Sequence, residues 1–271
     1  MGLGCSSNRQ PCHSTSGEVF ARIPGRSFRR YGKNERMKRK WPLPWRLLWR
    51  GTLLLFAALI VYESWIFGRV VMWIWVNPAS TAFMDARLES MREKDPNAKI
   101  KRGWVAYANI SVNLKRALIA AEDGKFLNHD GFDWRAIKQA AAKNLETGKV
   151  VAGGSTISQQ LSKNLFLSGR RTPWRKLQEA AITIMIETVM SKRRILEIYL
   201  NVIEWGNGVF GAEAAARHYY GTTASRLSAD ESARLAAMVP NPRLYDRVRT
   251  SPILYKRAVI IRSRMDVAAV P

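Results

Sequence analysis

From Leu47 to Phe67 the chain reads LLWRGTLLLFAALIVYESWIF, an apolar run about as long as a helix must be to cross a hydrocarbon core of ~30 Å. Arg50 and Glu63 lie toward its two ends, where long side chains reach the interface, and Trp45, Trp49, Tyr62 and Trp65 are placed for interfacial belts. Ahead of the run Arg26, Arg29, Arg30, Lys33, Arg36, Lys38, Arg39 and Lys40 stand close together. Positive charge stays on the cytoplasmic side of a span, so this arm is expected inside and everything after the span outside. A buried core helix fits the length and flanking charges poorly, and no small-residue cleavage site follows to make the run a signal peptide. The expected organisation is a basic arm over 1–46, a transmembrane helix over 47–67, a membrane-proximal connector over 68–99 and an exported domain over 100–271. Val70 to Val76 stays apolar before Asn77-Pro78, and either prolongs the span or lies along the outer interface. Cys5 and Cys12 both fall in the arm, so the exported part has no disulfide and depends on packing.

The 44 Lys plus Arg against 21 Asp plus Glu give a formal net charge of +23, which calls for an anionic partner: nucleic acid, phospholipid or polyphosphate. Neither a zinc-ligand spacing nor an RNA-recognition motif accompanies the basic arm, so nucleic acid is not the expected one. His13, His129 and His218 are too scattered for a metal cluster, and H-E-x-x-H does not occur.

Beyond a connector with a polar helical stretch near Ala86 to Glu93, the pattern after Lys99 is helical nearly throughout, with too few alternating runs for a large sheet. Ser111 reads as an N-cap, Val112, Leu114, Leu118 and Ile119 as an apolar set, and Gly124 as the C′ residue. Glu122 then sits in the last turn, facing the negative end of the helix dipole, which raises its affinity for a proton. That is the tuning of a general base; taken alone, Glu122 and Asp123 also read as solvated charges at a frayed helix end. Asp133 is expected to cap a helix through Ile137, Ala141 and Leu145 to Gly148. Ser155 or Thr156 caps the next, with Gln159 completing a capping box on Thr156 and Ile157, Leu161 and Leu165 marking the buried face.

Gln159 with Lys163, and Gln160 with Asn164, form a polar face on that helix. Gly153 and Gly154 would let a ligand approach the backbone at its N-terminus, where anions bind. After Arg170 and Arg171, a helix beginning near Arg175 carries Leu177, Ala180, Ala181, Ile184, Met185 and Val189. Glu179 lies among these apolar residues, so it is either paired structurally or held for chemistry. A helix from Ser191 with Ile195, Leu196, Tyr199 and Val202 inside is expected to end near Trp205-Gly206, with Asn201 as a hydrogen-bonded core amide. Helices around Ala212 to Tyr220, Ser228 to Val239 with a Ser228/Glu231 capping box, and Ser251 to Arg264 complete the domain.

Four pieces of this chain, in order, resemble the motifs of the family 51 glycosyltransferases, which polymerise lipid-linked disaccharide into peptidoglycan. They are Glu122-Asp123 with Phe126, His129 and Gly131; Gly153-Gly154-Ser155-Thr156-Ile157-Ser158-Gln159-Gln160; Arg175-Lys176 with Glu179; and Lys192 with Ile195, Glu197, Tyr199, Leu200 and Asn201. Ser158 departs from the pattern, where the family more often has Thr, and both carry a hydroxyl. The resemblance, over roughly Asn77 to Pro242, implies a mostly α, lysozyme-like domain behind one N-terminal transmembrane helix. It implies Glu122 as the base that deprotonates the acceptor hydroxyl and Glu179 as a second catalytic carboxylate on the pyrophosphate side. Lys163, Arg171 and Arg175 would bind the donor's phosphates, with Ser155, Gln159 and Gln160 also on the substrate. Asp123, Phe126, His129, Gly153, Gly154 and Asn201 would hold the site together.

No cofactor is expected to be obligatory; Mg2+ or Mn2+ at the pyrophosphate, with Glu179 near it, is compatible with the pattern. The implied partners are lipid II, the growing lipid-linked glycan, the bacterial inner membrane with the catalytic domain in the periplasm, and proteins of division or elongation. A lysozyme-like glutamate could instead cleave peptidoglycan, and a tethered scaffold with an inactive site is the reading from another class. The cationic loop fits a pyrophosphate better than finished glycan, and retention of Glu122 and Glu179 argues against the scaffold. The chain contains no S-x-x-K, so the nucleophile of the related penicillin-binding enzymes is not expected.

Overall fold

The computed structural model describes residues 43–149, 153–168 and 172–271; the basic arm with Cys5, Cys12 and His13, and Arg171, lie outside the described residues. The chain divides into two units, residues 1–51 and 52–271. In order, the elements are α1 Leu43–Met72, α2 Ala82–Arg92, β1 Lys101–Arg102, α3 Val112–Glu122, α4 Trp134–Thr147, α5 Ile157–Phe166 and α6 Pro173–Val189. There follow α7 Lys192–Val202, β2 Glu204–Gly206, β3 Val209–Phe210, α8 Ala212–Tyr220, α9 Ala229–Met238, α10 Pro242–Arg247 and α11 Pro252–Arg264. The fold is mostly helical, and its sheet is a scrap: β3 pairs parallel with β1 and antiparallel with β2.

From Pro44 to Met72, α1 is long and apolar enough to cross a membrane. It runs on past Phe67, and its last turns belong to the second unit's core, where Ile66, Val70 and the following Trp73 are buried. The apolar continuation after Arg69 is therefore built into the domain in part rather than laid along an interface. Two polar contacts reinforce the junction. The Arg69 guanidinium lies 4.6 Å from the Trp73 ring, 5.1 Å from Trp65 and 5.4 Å from Phe166 at the end of α5. Gln178 Nε2 on α6 donates to Glu63 Oε1 at 3.0 Å.

Around that junction α5 packs on α6 and α7, and α3 on α9 and α11, enclosing Leu114, Leu118, Ile157, Leu161, Ile186, Ile195, Leu235 and Ile261. Each fully buried Leu or Ile contributes about 1.5–3 kcal/mol relative to exposure. The caps follow the local chemistry expected of them. Asp133 accepts from the N–H groups of Arg135 and Ala136, and Gly148 ends α4 in the left-handed region. Thr156/Gln159 and Ser228/Glu231 form reciprocal capping boxes.

The structure corrects several expectations. Helix α2 starts four residues before Ala86, where the Thr81 hydroxyl accepts from the Met84 N–H. Gly124 follows α3 but is not left-handed; the helix ends because Asp123 turns to φ −160°, ψ 72°. Helix α7 stops at Val202, and Glu204–Gly206 form a strand instead of a last helical turn. Helix α10 was not anticipated.

The sharpest correction is α6. Leu177 and Ile184 are 65 % and 57 % exposed, as is Trp174, while the inward face carries Gln178, Glu179, Ile182, Thr183 and Ile186. The buried polar groups are satisfied, so the inversion is stable: Thr183 Oγ1 donates to the Glu179 carbonyl at 2.7 Å, and Ser162 Oγ of α5 donates to the same carbonyl at 3.2 Å.

Candidate active site

The end of α3, the first turns of α4 and the turn leading into α5 enclose a cleft of about 290 Å³. Its walls include Glu122, Lys125, Asp133, Gln139, Gly153, Gly154 and Ser155. A larger cavity of about 970 Å³, between α9 and α11, is lined by Tyr220, Arg234 and Tyr255 and holds none of the motif residues. Chemistry rather than size therefore points to the first.

Glu122 is half-buried, and burial raises the pKa of its carboxyl above the ordinary value. Three groups work against burial: the Gln160 amide, Arg257 and Lys163 all favour the carboxylate, while Asp123 opposes it. Gln160 Nε2 donates to Glu122 Oε2 at 2.7 Å. Burial is the largest of these causes, so the net effect is a carboxyl that holds its proton more tightly than an ordinary glutamate.

Asp123, next in the chain, does different work. Its Oδ2 accepts the Ile157 N–H at the start of α5 at 3.0 Å, and its two oxygens lie 2.9 and 3.1 Å from His129 Nε2. His129 Nδ1 accepts the Gly131 N–H at 3.1 Å, which places the ring proton on Nε2, facing Asp123. So Asp123 ties α3 to α5 and to the His129 loop, and His129 hydrogen-bonds within that loop on both ring nitrogens. Phe126 is buried beside them under the Lys192 ammonium, 4.8 Å from the ring centroid. Lys192 also donates to the His129 carbonyl at 2.5 Å and to Glu187 at 2.7 Å, and the Ser158 hydroxyl donates to Glu187 as well, at 2.5 Å. A serine at 158 therefore fills a hydroxyl's place in this network.

The two motif glycines part ways. A Cβ on Gly154 would meet Ile137 Cα at 2.8 Å and Ile137 N at 3.0 Å, so this glycine lets the turn seat against the backbone of α4. A Cβ on Gly153 would meet nothing within 4 Å. Only Gly153 leaves the open backbone that both were expected to provide. Gly131 is a further tight position, with φ +90° and the Thr183 methyl 2.8 Å from where a Cβ would stand.

Of the residues expected on substrate, Ser155 is exposed on the cleft. Gln159 is buried, and its side chain accepts the Thr156 N–H at 3.0 Å, so its amide serves the helix cap. Lys163, one turn further along α5, is close enough to act on the Glu122 charge. On α6, Glu179 is 4 % exposed and its carboxylate is paired with the Lys176 ammonium, while Arg175 Nε is buried without a hydrogen-bond partner. Asn201 lies elsewhere: its amide donates to the Val105 and Glu197 carbonyls and accepts the Val105 N–H, splinting the segment before α3 onto α7.

Arg257 on α11 escaped the sequence reading. Its Nε is buried without a hydrogen-bond partner, and its charge acts on Glu122. The signal was available: Arg257 falls three residues after Leu254 and four before Ile261, both buried, so it occupies the inward stripe of its helix. Among the described residues no three His, Cys, Asp or Glu side chains gather to hold a metal ion.

The family model described as Transglycosylase matches residues 89–266. Biosynthetic peptidoglycan transglycosylases from Nitrosospira multiformis and Methylobacillus flagellatus are 61 % and 60 % identical to this chain over 226 residues, covering 83 % of it and 98 % and 99 % of the relatives. The one from Laribacter hongkongensis is 60 % identical over 222 residues, 82 % of this chain and 97 % of its own length.

Proposed function

Since the chain belongs to the transglycosylase family and is a peptidoglycan glycosyltransferase, we propose that Glu122 is the base that takes the proton of the acceptor's 4-hydroxyl. The substrate is lipid II. The acceptor oxygen forms its bond to the anomeric carbon as the bond to the undecaprenyl pyrophosphate breaks on the opposite face, so the centre inverts and a β-1,4 link results. The observation that carries this reading is the Glu122 carboxyl in its cleft, raised by burial yet kept ionisable by Gln160, Lys163 and Arg257.

The departing pyrophosphate gathers negative charge in the transition state and needs cations. Lys163 on α5 and Arg175 on α6 supply them, together with Arg171. Glu179 does its part through a neighbour: paired with Lys176, it fixes an ammonium on the same helix that carries Arg175. Glu179 is paired with Lys176, and among the described residues no three His, Cys, Asp or Glu side chains gather around it. A Mg2+ or Mn2+ ion arriving with the pyrophosphate would have Glu179 as its protein ligand. We infer that α1 anchors the domain at the inner membrane, with the arm in the cytoplasm and the cleft in the periplasm; the helix's length and apolar composition, and the basic residues ahead of it, support this reading.

Polymerisation of purified lipid II, read on a gel, tests the assignment. Glu122→Gln should cut turnover about 10²-fold or more while leaving the affinity for a phosphoglycolipid donor mimic nearly unchanged. Lys163→Ala should weaken that affinity as well as slow turnover. Cleavage of finished peptidoglycan that depends on Glu122 and ignores Lys163 would overturn the transfer mechanism.

A further inference from the structure

A two-link chain of hydrogen bonds ends on Glu122. The Tyr199 hydroxyl on α7 donates to Gln160 Oε1 at 2.7 Å, and Gln160 Nε2 donates to Glu122 Oε2 at 2.7 Å. A primary amide has one accepting end and one donating end, and its surroundings decide which end faces which way. Here its two ends meet Tyr199 and Glu122. The Tyr199 ring is fully buried, and burial, then the charges of Glu122 and Asp123, hold the phenol's pKa well above its ordinary value, so the O–H stays a donor. With the phenol donating to Oε1, Nε2 faces Glu122, whose carboxylate can only accept. The flipped amide would set an oxygen against the carboxylate and forfeit the bond that the phenol donates.

We propose that Tyr199 is a positioning residue for the transfer reaction: by fixing the Gln160 amide it pins Glu122 Oε2 and leaves Oε1, which has no hydrogen bond among the described residues, to take the acceptor's proton. This rests on Glu122 being the base. It also removes the Gln160 side chain from the set that touches substrate and places it, with Tyr199, behind the carboxylate. The charged and titratable groups that face Glu122 are Asp123 at the end of its own helix, Lys163 on α5, Arg257 on α11 and Tyr199 itself on α7. Lys163 and Arg257 favour the carboxylate whatever the amide does, so losing the amide's N–H removes one of three supports.

The test uses the full chain in detergent with lipid II, comparing Tyr199→Phe, Gln160→Ala, the double variant and Glu122→Gln. Tyr199→Phe keeps the ring and should lower kcat about 10-fold, with KM changed by less than about twofold, because the lost contact is behind the base and not on the substrate. The acidic limb of its pH profile should move up, since the carboxylate loses a hydrogen bond that favoured it. The double variant should be no worse than Gln160→Ala, as expected when one residue acts through the other. Should Tyr199→Phe melt early, Gln160→Leu carries the same expectation for the limb.

A Tyr199→Phe enzyme that folds with wild-type kcat and an unmoved limb overturns the proposal, as does a rise in KM at constant kcat, or effects that multiply in the double variant. For Gln160→Leu, an unmoved limb overturns it equally. Wild-type turnover by Glu122→Gln would instead sink the assignment of the base, whatever Tyr199→Phe does.

Discussion

Replacing Gly154 by alanine places a methyl carbon 2.8 Å from Ile137 Cα, 3.0 Å from Ile137 N and 3.1 Å from the Ala136 carbonyl oxygen. Ordinary carbon contacts lie at about 3.5–4.0 Å, so the overlap is roughly 0.5–1 Å. All three atoms are backbone near the start of α4, and Asp133 anchors that turn through two hydrogen bonds. No rotamer relieves the clash; either α4 or the turn into α5 must shift. Overpacking of this kind costs about 1–3 kcal/mol, which in a domain of this size lowers Tm by roughly 2–12 °C. The catalytic loss should be larger than the stability loss suggests. Both displaced elements line the cleft opposite Glu122, and a misplacement of about 1 Å can cost about 10²-fold in rate. Gly153→Ala is the built-in control, because its added methyl meets nothing within 4 Å, and it should change Tm by little. Thermal melting and lipid II polymerisation of the two variants side by side decide the matter. Indistinguishable behaviour of Gly153→Ala and Gly154→Ala would refute the packing argument.

Other expectations are equally open to measurement. Because burial raises the Glu122 pKa, the fraction ionised, and with it kcat/KM, should fall as pH drops through a value above the ordinary glutamate range; Arg257→Ala, which removes a group favouring the carboxylate, should move that acidic limb further up, and a limb left in place would contradict the assigned influence. Asp123→Ala strands the Ile157 N–H and the His129 ring proton, so denaturant unfolding should show a loss of about 2–4 kcal/mol; a loss within error of zero would remove Asp123 from its splinting role. Leu177→Glu with Ile184→Glu alters side chains that are already exposed, so Tm of the full chain in detergent should hold. A clear fall in Tm would return the two side chains to the core.

What was legible in the sequence was whatever short-range chemistry decides. Thr156 with Gln159, Ser228 with Glu231, and Asp133 with Gly148 announce helix ends because the partners lie within a turn of one another. Glu122 was findable for the same reason, at a helix end beside a loop. The failures share a cause too. Periodicity shows that α6 has apolar residues but not which medium they face, so nothing local tells that Leu177 and Ile184 lie outward while Gln178, Glu179 and Thr183 point inward. Gly153 and Gly154 look alike until α4 arrives from twenty residues upstream to lie against one of them. Tyr199 read as a core residue, which it is; its hydroxyl's meeting with Gln160 depends on α5 and α7 packing together, and nothing local encodes that.

The end of α1 is masonry and not rope. With Ile66 and Val70 in the core, Arg69 wedged among aromatic rings and Glu63 bonded to α6, the domain has no slack at its point of attachment. A cleft hung from a loose tether would wander through a volume and tilt at random above the bilayer. With α1 in a membrane, such a junction would hold the cleft at one depth, so a substrate that is itself carried on a lipid would need only to drift sideways to reach it, and a search in three dimensions would become a search in two.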